Sequence, residues 1–308
     1  AVRIFTGAPV PKGSDHILIQ EDCIKSNDKI IINKVFDKNN FIRPKGGDFK
    51  VGDCIDAPLR LNASLISLLA AMNIANVPVF RKPIIALIAT GDELVNVGEV
   101  PEKDQIISSN NYGLKTLIET SGGIARLLPI ARDTSQELKT VLNLCNNVDL
   151  IVTLGGASVG DYDLVHSTAI DMGMETSFYK VAMRPGKPLM AGKIGKIPIF
   201  GLPGNPVSAL VCGMVFLKPA INVMLGKGKA PLDTQNAILE NDLPQNGPRE
   251  HYMRAKMRFV NGTQTVEPFG QQDSSLLTIL SKANALLVRP ANDKAKQKGS
   301  SVKVIPLE

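Results

Sequence analysis

The chain has 308 residues and a formal net charge of +6, and its 44% of hydrophobic residues is ordinary for a globular protein of two or more domains. The sequence has no run of about 18 apolar residues and no N-terminal signal pattern, so it predicts no membrane span. Four widely spaced cysteines without CxxC spacing indicate reduced thiols of a cytoplasmic protein and argue against a zinc site. The absence of tryptophan argues against nucleic-acid binding, so the positive net charge is interpreted as favouring anionic small ligands.

The first 78 residues carry only short elements. Residues 16–20 and 29–35 are β-prone runs between turns, and residues 63–72 have a helical pattern. These elements alone do not define a fold class.

Residues 79–229 predict an α/β domain. Strands are expected at residues 83–90, 124–130 and 149–154, with helices at residues 110–120 and 135–144. The runs at residues 83–90 and 149–154 are nearly continuously apolar, as is typical of buried parallel strands. The alternation of strand and helix implies a parallel sheet covered by helices on both faces.

A further strand and helix follow in the same domain. The basic sequence RPGKP (residues 184–188) precedes a short apolar hairpin, and residues 197–200 form a strand that ends in GLPGNP (residues 201–206). Asn205 is a favourable N-cap and Pro206 suits the first turn of a helix over residues 207–225. A glycine-bearing turn that enters a helix offers unpaired N–H groups to an anion, although a tight turn without a ligand has the same pattern.

Three glycine-bearing loops follow strands of this domain. TGDEL (residues 90–94), GGASVGDYD (residues 155–163) and GLPGNP are expected to meet at the carboxyl edge of the sheet, where ligands of such sheets bind.

That edge carries acids and bases together. The acids are Asp92, Glu93, Asp133, Asp161 and Asp163, and the bases are Lys180, Arg184 and Lys187. Glycine N–H groups with basic side chains suit phosphate, and carboxylates beside phosphate need a hard cation such as Mg²⁺ between them. The set favours a phosphorylated, nucleotide-bearing ligand with Mg²⁺. Each acid taken alone also fits a solvated loop or a helix cap, and Asp161 and Asp163 have the position of such caps.

The last part of the chain predicts a small β domain. Residues 226–231 form a linker, and short apolar runs separated by turns follow it, as in a barrel or a sandwich. These runs are residues 255–260, 265–268, 285–289 and 301–305. The basic stretch at residues 294–298 is interpreted as a solvated turn.

Four of these motifs resemble a known family. TGDEL, GGASVGDYD, KVAMRPGKP (residues 180–188) and GLPGNPVSA (residues 201–209) resemble signatures of the molybdopterin molybdenumtransferases, the MoeA family that includes the E-domain of gephyrin. The resemblance covers essentially the whole chain in order. Its other elements are TGAPVP (residues 6–11), FIRPKGGDFKVGDC (residues 41–54), REHYMR (residues 249–254) and GQQDSSL (residues 270–276). Family members have a further stretch with an aspartate-glycine-tyrosine-alanine motif before TGAPVP, so a fragment or the ordered part of a longer chain is expected.

The resemblance implies a multidomain α/β fold. A central three-layer α/β domain with a parallel-type sheet is expected together with the remainder of a β-rich lobe, an elongated connecting lobe and a C-terminal β domain. In that order along the chain, the expected regions are residues 1–45 for the β-rich lobe, 46–78 for the connecting lobe, 79–229 for the molybdopterin-binding domain and 230–308 for the C-terminal domain.

The resemblance also implies a reaction. Adenylated molybdopterin and molybdate bind, the phosphoanhydride is cleaved, molybdenum passes to the dithiolene, and AMP leaves. Glu93, Asp133 and Asp163 would orient the attacking oxyanion or hold Mg²⁺, with Glu93 and Asp163 as the metal ligands. Lys180 and Arg184 would neutralise anionic charge. The other expected substrate-binding residues are Thr6, Asp48, Thr90, Gly91, Asp92, Gly155, Gly156, Ser158, Gly160, Pro185, Gly186, Lys187, Pro203, Gly204, Asn205, Arg249 and Ser274.

Partners follow from the same resemblance. Thr6 and Asp48 would reach the site of the second subunit of a homodimer, and the molybdopterin adenylyltransferase is an expected partner. Position 184 is often lysine in relatives, and Asp273, where relatives often have glycine, adds negative charge beside Ser274. The open alternatives are tungstate as the oxyanion, Mn²⁺ as the metal, a gephyrin-like scaffold without catalysis, and the related adenylyltransferase.

Overall fold

The computed structural model of the chain has two compact units, Ala1–Val77 and Pro78–Glu308. The described residues are 1–35, 39–156, 164–229 and 232–307. The finer division into four regions stays a prediction.

The described residues of the first unit form one hairpin, one α-helix and a 3-10 turn. The hairpin joins β1 (Cys23–Ser26) to β2 (Lys29–Ile32), and the helix α1 (Ala63–Ala71) begins where the Asn62 side chain accepts a bond from the Leu65 N–H. The helix and the second strand of the hairpin were expected from the sequence, whereas β1 was not. Residues 16–20 form no strand; instead a 3-10 turn occupies Gln20–Asp22, and Ile17 makes a single backbone bond to Asn40.

The second unit contains the remaining elements. Its first part consists of β3 (Ile84–Ala89), β4 (Leu94–Val95), β5 (Ile106–Ile107), α2 (Asn110–Thr120), β6 (Ile124–Leu127), α3 (Ser135–Leu142), β7 (Leu150–Leu154), α4 (Leu164–Asp171), β8 (Met174–Tyr179), β9 (Met183–Arg184), β10 (Met190–Ile194), β11 (Ile197–Leu202), α5 (Pro206–Cys212) and α6 (Lys218–Met224). Its second part consists of β12 (Gln235–Leu239), β13 (Glu250–Val260), β14 (Thr263–Pro268), α7 (Leu277–Lys282), β15 (Ala285–Arg289) and β16 (Ser301–Pro306).

A six-stranded sheet forms the centre of the first part. Its strand order is β6-β3-β7-β11-β10-β8, and the first four strands are parallel, as the sequence predicted. Strand β10 runs antiparallel to both of its neighbours, β11 and β8, so the complete sheet is mixed. The consecutive order β3, β7, β11 places the loops that follow these strands side by side.

Helices cover both faces of this sheet. Successive residues of β3 point to opposite faces: Ile85 and Leu87 pack in the cluster that contains Leu114 of α2, whereas Ile88 packs in the cluster that contains Leu138 of α3. All five side chains are fully buried, and burial of each contributes about 1.5–3 kcal/mol. The expected three-layer arrangement is confirmed.

One long helix begins directly after β11. Helices α5 and α6 are continuous through a π-helical turn, Gly213–Leu217, which ends just before the turn that contains Pro219. Proline lacks an N–H and its ring clashes with a regular α-helical turn, so the wider π turn lets the helix continue. Within the described residues, this helix alone has the length and composition to cross a membrane. Val207, Val211 and Leu217 are fully buried, as in the core helix of a globular protein.

The second part forms a small β barrel. Strand β13 pairs with β15 through its first half and with β14 through its second half, which closes the order β14-β12-β16-β15-β13. From the sequence, only residues 255–260 of this strand were predicted, and its first five residues were missed. The barrel interior holds Leu239, Val266, Leu287 and Val304. Strand β9 adds to the outside of β13, so a segment of the α/β part is hydrogen-bonded into the barrel sheet.

Candidate functional site at the carboxyl edge of the sheet

A cavity of about 910 Å³ lies where β3, β7 and β11 end. Within the described residues, its lining includes Thr90, Gly91, Glu93, Asn110, Asp133, Gly155, Gly156, Pro188, Pro203, Gly204, Asn205 and Ser275. The three glycine-bearing loops therefore converge as their topology predicted. Ser158, Gly160, Asp161 and Asp163 lie outside the described residues.

The loops approach each other closely at Gly155. Its φ is +95°, and a Cβ at this position would lie 2.6 Å from the Thr90 carbonyl oxygen. The Gly155 N–H donates to Leu202, and the Thr90 N–H donates to Leu154. The first, second and third loops are thus held together at their bases by backbone bonds, and only glycine fits between them.

Two of the expected carboxylates, Glu93 and Asp133, belong to the cavity lining. Asp133 N–H donates to the Asp92 carboxylate at 3.0 Å, and Asp92 N–H donates to Asp133 at 3.4 Å, so these two residues join the first loop to the segment after β6. The carboxylate of Glu93 lies over Gly91, where an added Cβ would be 2.7 Å from Oε1.

The described residues contain no group of three metal-ligating side chains. Glu93 and Asp133 fit the way Mg²⁺ is commonly bound, by one or two carboxylates completed by substrate phosphate and water. The donor set is therefore suited to a metal that arrives with a phosphorylated substrate.

The start of α5 is completed by the C-terminal part of the unit. Asn205 is the N-cap residue by position, but its side chain makes no capping bond; its Nδ2 donates to Ser274 Oγ at 3.1 Å. The Ser274 carbonyl accepts from the Val207 N–H at 3.0 Å. The expected N-cap position of Asn205 is confirmed, but the bond to the first turn comes from the Ser274 carbonyl of the barrel part and not from the Asn205 side chain. Asn110 Nδ2 further fixes the loop by donating to the Gly204 carbonyl at 2.7 Å.

Lys180 stands on an aromatic side chain. Its Nζ is 4.8 Å from the centre of the Tyr179 ring, which in turn stacks on His166 at 4.6 Å. The Lys180 backbone has a φ of +68°, uncommon for a residue other than glycine and a feature often found at functional sites. The ammonium group is thus held at the end of β8 by a cation–π contact.

The remaining expected bases lie apart from the cavity wall. The described lining of the cavity does not include Lys180, Arg184, Lys187 or Arg249. Arg184 lies opposite His251 in the parallel backbone pairing of β9 with β13. Gly186 follows with a φ of +112°.

A concentration of positive charge surrounds this junction. His251 is buried, and burial together with the charges of Arg184, Arg254 and Arg249 lowers its pKa to about 4. A neutral histidine among arginines marks a region that favours an anion. The sequence pointed to Arg184 and Arg249 as site residues, whereas His251 and Arg254 were missed. Both are buried polar residues of one strand, a feature that could have marked them as site residues.

Arg254 holds the loop that carries Ser274. It is completely buried and donates through Nη1 to the Asp273 carbonyl at 3.0 Å and through Nη2 to the Gln271 carbonyl at 3.2 Å. The Asp273 carboxylate accepts bonds from the backbone and hydroxyl of Ser275, and these bonds lower the pKa of Asp273. The negative charge expected beside Ser274 is therefore used to fold the loop.

Thr6 and Asp48 belong to the first compact unit. Their approach to a site in a second subunit stays a prediction.

Three family descriptions match the chain. Residues 1–73 match the MoeA N-terminal region (domain I and II), residues 86–223 match the "Probable molybdopterin binding domain", and residues 236–307 match the MoeA C-terminal region (domain IV). The fold and the cavity thus define a protein of molybdenum cofactor biosynthesis with an α/β domain of the molybdopterin-binding type.

Individual relatives agree with this class. Molybdopterin molybdenumtransferases from Nostoc sp. and Staphylococcus aureus are 34% and 32% identical to the chain over 315 and 310 residues, covering 100% of the chain in each case and 72% and 74% of the relative. A solved structure titled as a molybdopterin biosynthesis MoeA protein from Pyrococcus horikoshii is 26% identical, has a TM-score of 0.75, and covers 98% of this chain and 74% of its own. The chain belongs to the MoeA family of molybdopterin molybdenumtransferases, which are transferases.

Proposed function

We propose that the chain inserts molybdenum into adenylated molybdopterin, with molybdate as the second substrate and AMP as a product. The observation that carries this proposal is the convergence of three glycine-bearing loops around a cavity that also contains Glu93 and Asp133. Backbone N–H groups and a helix N-terminus favour phosphate, whereas paired carboxylates favour the metal that accompanies it.

The residues divide into two groups by charge. Glu93 and Asp133, with Asp163 from the loop outside the described residues, would hold Mg²⁺; when bound, Mg²⁺ supplies positive charge to the phosphate oxygens during cleavage of the phosphoanhydride. Lys180, Arg184 and Lys187 neutralise the anionic substrates. Arg249 and Ser274 complete a pocket for molybdate, because the cationic cluster at β9 and β13 favours an oxyanion.

The assembly is part of the same proposal. In a cytoplasmic homodimer, Thr6 and Asp48 of one subunit complete the site of the other, and the molybdopterin adenylyltransferase delivers the adenylated substrate. The adenylyltransferase activity itself is not favoured for this chain, because the family matches extend over residues 1–73 and 236–307 as well as the α/β domain.

AMP release from adenylated molybdopterin tests the proposed function. The unaltered chain, supplied with Mg²⁺, is expected to release AMP when molybdate is added. Glu93→Gln and Asp163→Asn keep the size of the side chain and remove its charge, and each is expected to lower the rate roughly 10²–10³-fold. Glu119→Gln is the matched control, since Glu119 is an exposed carboxylate on α2 that pairs with Lys115.

Calorimetry of the same substrate separates the alternatives. Binding together with molybdate-stimulated AMP release supports the transferase. Full activity in Glu93→Gln would contradict the assignment of this site, and absence of binding by the folded chain would favour the scaffold.

A further inference from the structure

The segment that carries Glu93 is held by its neighbour along the sheet edge. Thr90 forms an isolated parallel bridge with Ala131, and the Gly91 N–H donates to the Ala131 carbonyl at 3.1 Å. The reciprocal bonds between Asp92 and Asp133 follow directly. Glu93 therefore leaves the sheet at a point where two chain segments 40 residues apart run side by side.

Arg132 bonds to the backbone on both sides of Glu93. Its Nη1 donates to the Asp92 carbonyl at 2.9 Å and to the Leu94 carbonyl at 3.2 Å. The carbonyl of Glu93 itself accepts from the Ile106 N–H at 2.8 Å. Three successive carbonyls of the loop are thus occupied, and two of them depend on one guanidinium.

Arg132 also lies near the next turn of the same loop. The Glu99 carboxylate accepts bonds from the backbone and side chain of Asn96, and these bonds lower the pKa of Glu99, with a smaller contribution from the charge of Arg132. The charge of Arg132 thus acts on the turn at residues 96–99, whereas its hydrogen bonds are made to residues 92 and 94.

Fixing both peptide units fixes the direction of the Cα–Cβ bond of Glu93, from which its carboxylate extends. The Glu93 carboxylate must lie over Gly91, a position that depends on the φ and ψ of residues 92–94. The pairing of β4 with β5 holds the Leu94–Val95 peptide as well, and Arg132 adds a tie between the Asp92 and Leu94 carbonyls, on the two sides of Glu93. A displacement of a reacting group by about 1 Å is enough to cost roughly 10²-fold in rate.

We propose that Arg132 is a positioning residue that sets the direction of the Glu93 carboxylate toward the cavity. This inference rests on the proposed role of Glu93 in the transferase reaction. Arg132 touches no substrate in this account; it acts through the backbone of residues 92 and 94.

Arg126 provides a matched control. It is an exposed arginine on β6 whose Nη1 donates to the Asn146 carbonyl at 2.9 Å, before β7 begins and thus at the opposite edge of the sheet. Arg132→Met and Arg126→Met remove the same kind of bond and the same charge. Arg132→Lys keeps the charge but cannot reproduce the geometry of the guanidinium.

Two measurements on the full chain test the proposal. Hydrogen exchange followed by mass spectrometry is expected to show faster exchange of peptides that cover residues 91–99 in Arg132→Met and unchanged exchange elsewhere. The same peptides are expected to exchange at the unaltered rate in Arg126→Met. Steady-state AMP release is expected to show kcat lowered about 10- to 100-fold in Arg132→Met, a higher Mg²⁺ concentration for half-maximal rate, and a partial effect in Arg132→Lys.

The outcomes separate the two proposals. If the unaltered chain releases no AMP, the proposed function fails, while hydrogen exchange still decides whether Arg132 orders the loop. If the unaltered chain is active and Arg132→Met keeps its exchange pattern, its kcat or its Mg²⁺ dependence, the positioning role is overturned. Faster exchange over the whole chain would also overturn it, because Arg132 would then serve general stability.

Discussion

Replacing Gly155 by alanine would test how tightly the three loops are joined. The new Cβ would meet the Thr90 carbonyl oxygen at 2.6 Å and the Thr90 Oγ1 at 3.1 Å. A contact with the end of a flexible side chain is relieved by rotation of that side chain, but here the nearest atom belongs to the backbone. Thr90 is tied to Leu154 and Ala131, so its peptide cannot move without disturbing β7 and the segment after β6.

The expected loss of stability has two parts. A left-handed backbone costs an L-residue about 1–2 kcal/mol, and Gly155 has a φ of +95°. Overpacking against a fixed neighbour costs about 1–3 kcal/mol more. The sum, about 2–5 kcal/mol, is a large fraction of the stability of an ordinary domain.

Gly173→Ala isolates the first part. Gly173 has a φ of +85°, and an added Cβ there would meet nothing within 4 Å. Urea unfolding followed by circular dichroism, with linear extrapolation to water, gives the free energy of unfolding for both variants. Gly155→Ala is expected to lose about 1–3 kcal/mol more than Gly173→Ala. Equal losses would refute the close contact between the first and second loops.

Two further outcomes follow from buried groups. The pKa of His251 is about 4 in the folded chain and near 6.5 when unfolded, so the unfolded state binds more protons between these two pH values. The free energy of unfolding should therefore fall with falling pH in this window, by at most about 1.4 kcal/mol per pH unit. Urea unfolding at a series of pH values should show that His251→Gln loses this slope. Burial raises the pKa of Cys212 to about 12 and that of Cys145 to about 11, so mass-spectrometric mapping of native alkylation should find Cys54 labelled and these two thiols unlabelled until the chain unfolds. Rapid native labelling of Cys212 would contradict its burial.

Much of the fold could be predicted because periodicity and local punctuation agree with the packing. The helix expected over residues 110–120 has those bounds, and the apolar run around Ile84–Ala89 forms the strand it indicated. Strand β8 was missed because most of its residues are exposed or half-buried at the edge of the sheet, where a strand needs no continuous apolar run.

The beginning of β13 was missed for a related reason. His251 and Arg254 are buried there, and a polar residue at a buried position breaks the pattern that identifies strands. Buried Arg254 is tolerated because the loop that follows Phe269 supplies hydrogen-bond acceptors for its guanidinium.

The candidate site was predicted only as far as topology decides it. Order along the chain brings Gly91, Gly155 and Gly204 to one edge without any knowledge of side chains. The contacts of Arg132 and of Ser274 join segments 40 and nearly 70 residues apart, and no local pattern encodes them. Asn205 shows the difference, because its local sequence predicts the N-cap position but not the bond that its side chain donates to Ser274.

The long helix after β11 also bears on how the chain is made. A window of 18 of its 19 residues has a mean hydropathy of 1.7, so a newly synthesised chain presents a segment with the composition of a membrane anchor. Ser274, whose carbonyl accepts from the first turn, leaves the ribosome on the order of 10 s later at ordinary rates of translation. Strands β3, β6 and β7, together with α2, precede the helix and are synthesised first. Residues of β3, α2 and β7 that pack in the same apolar cluster as this helix are therefore already synthesised when it emerges.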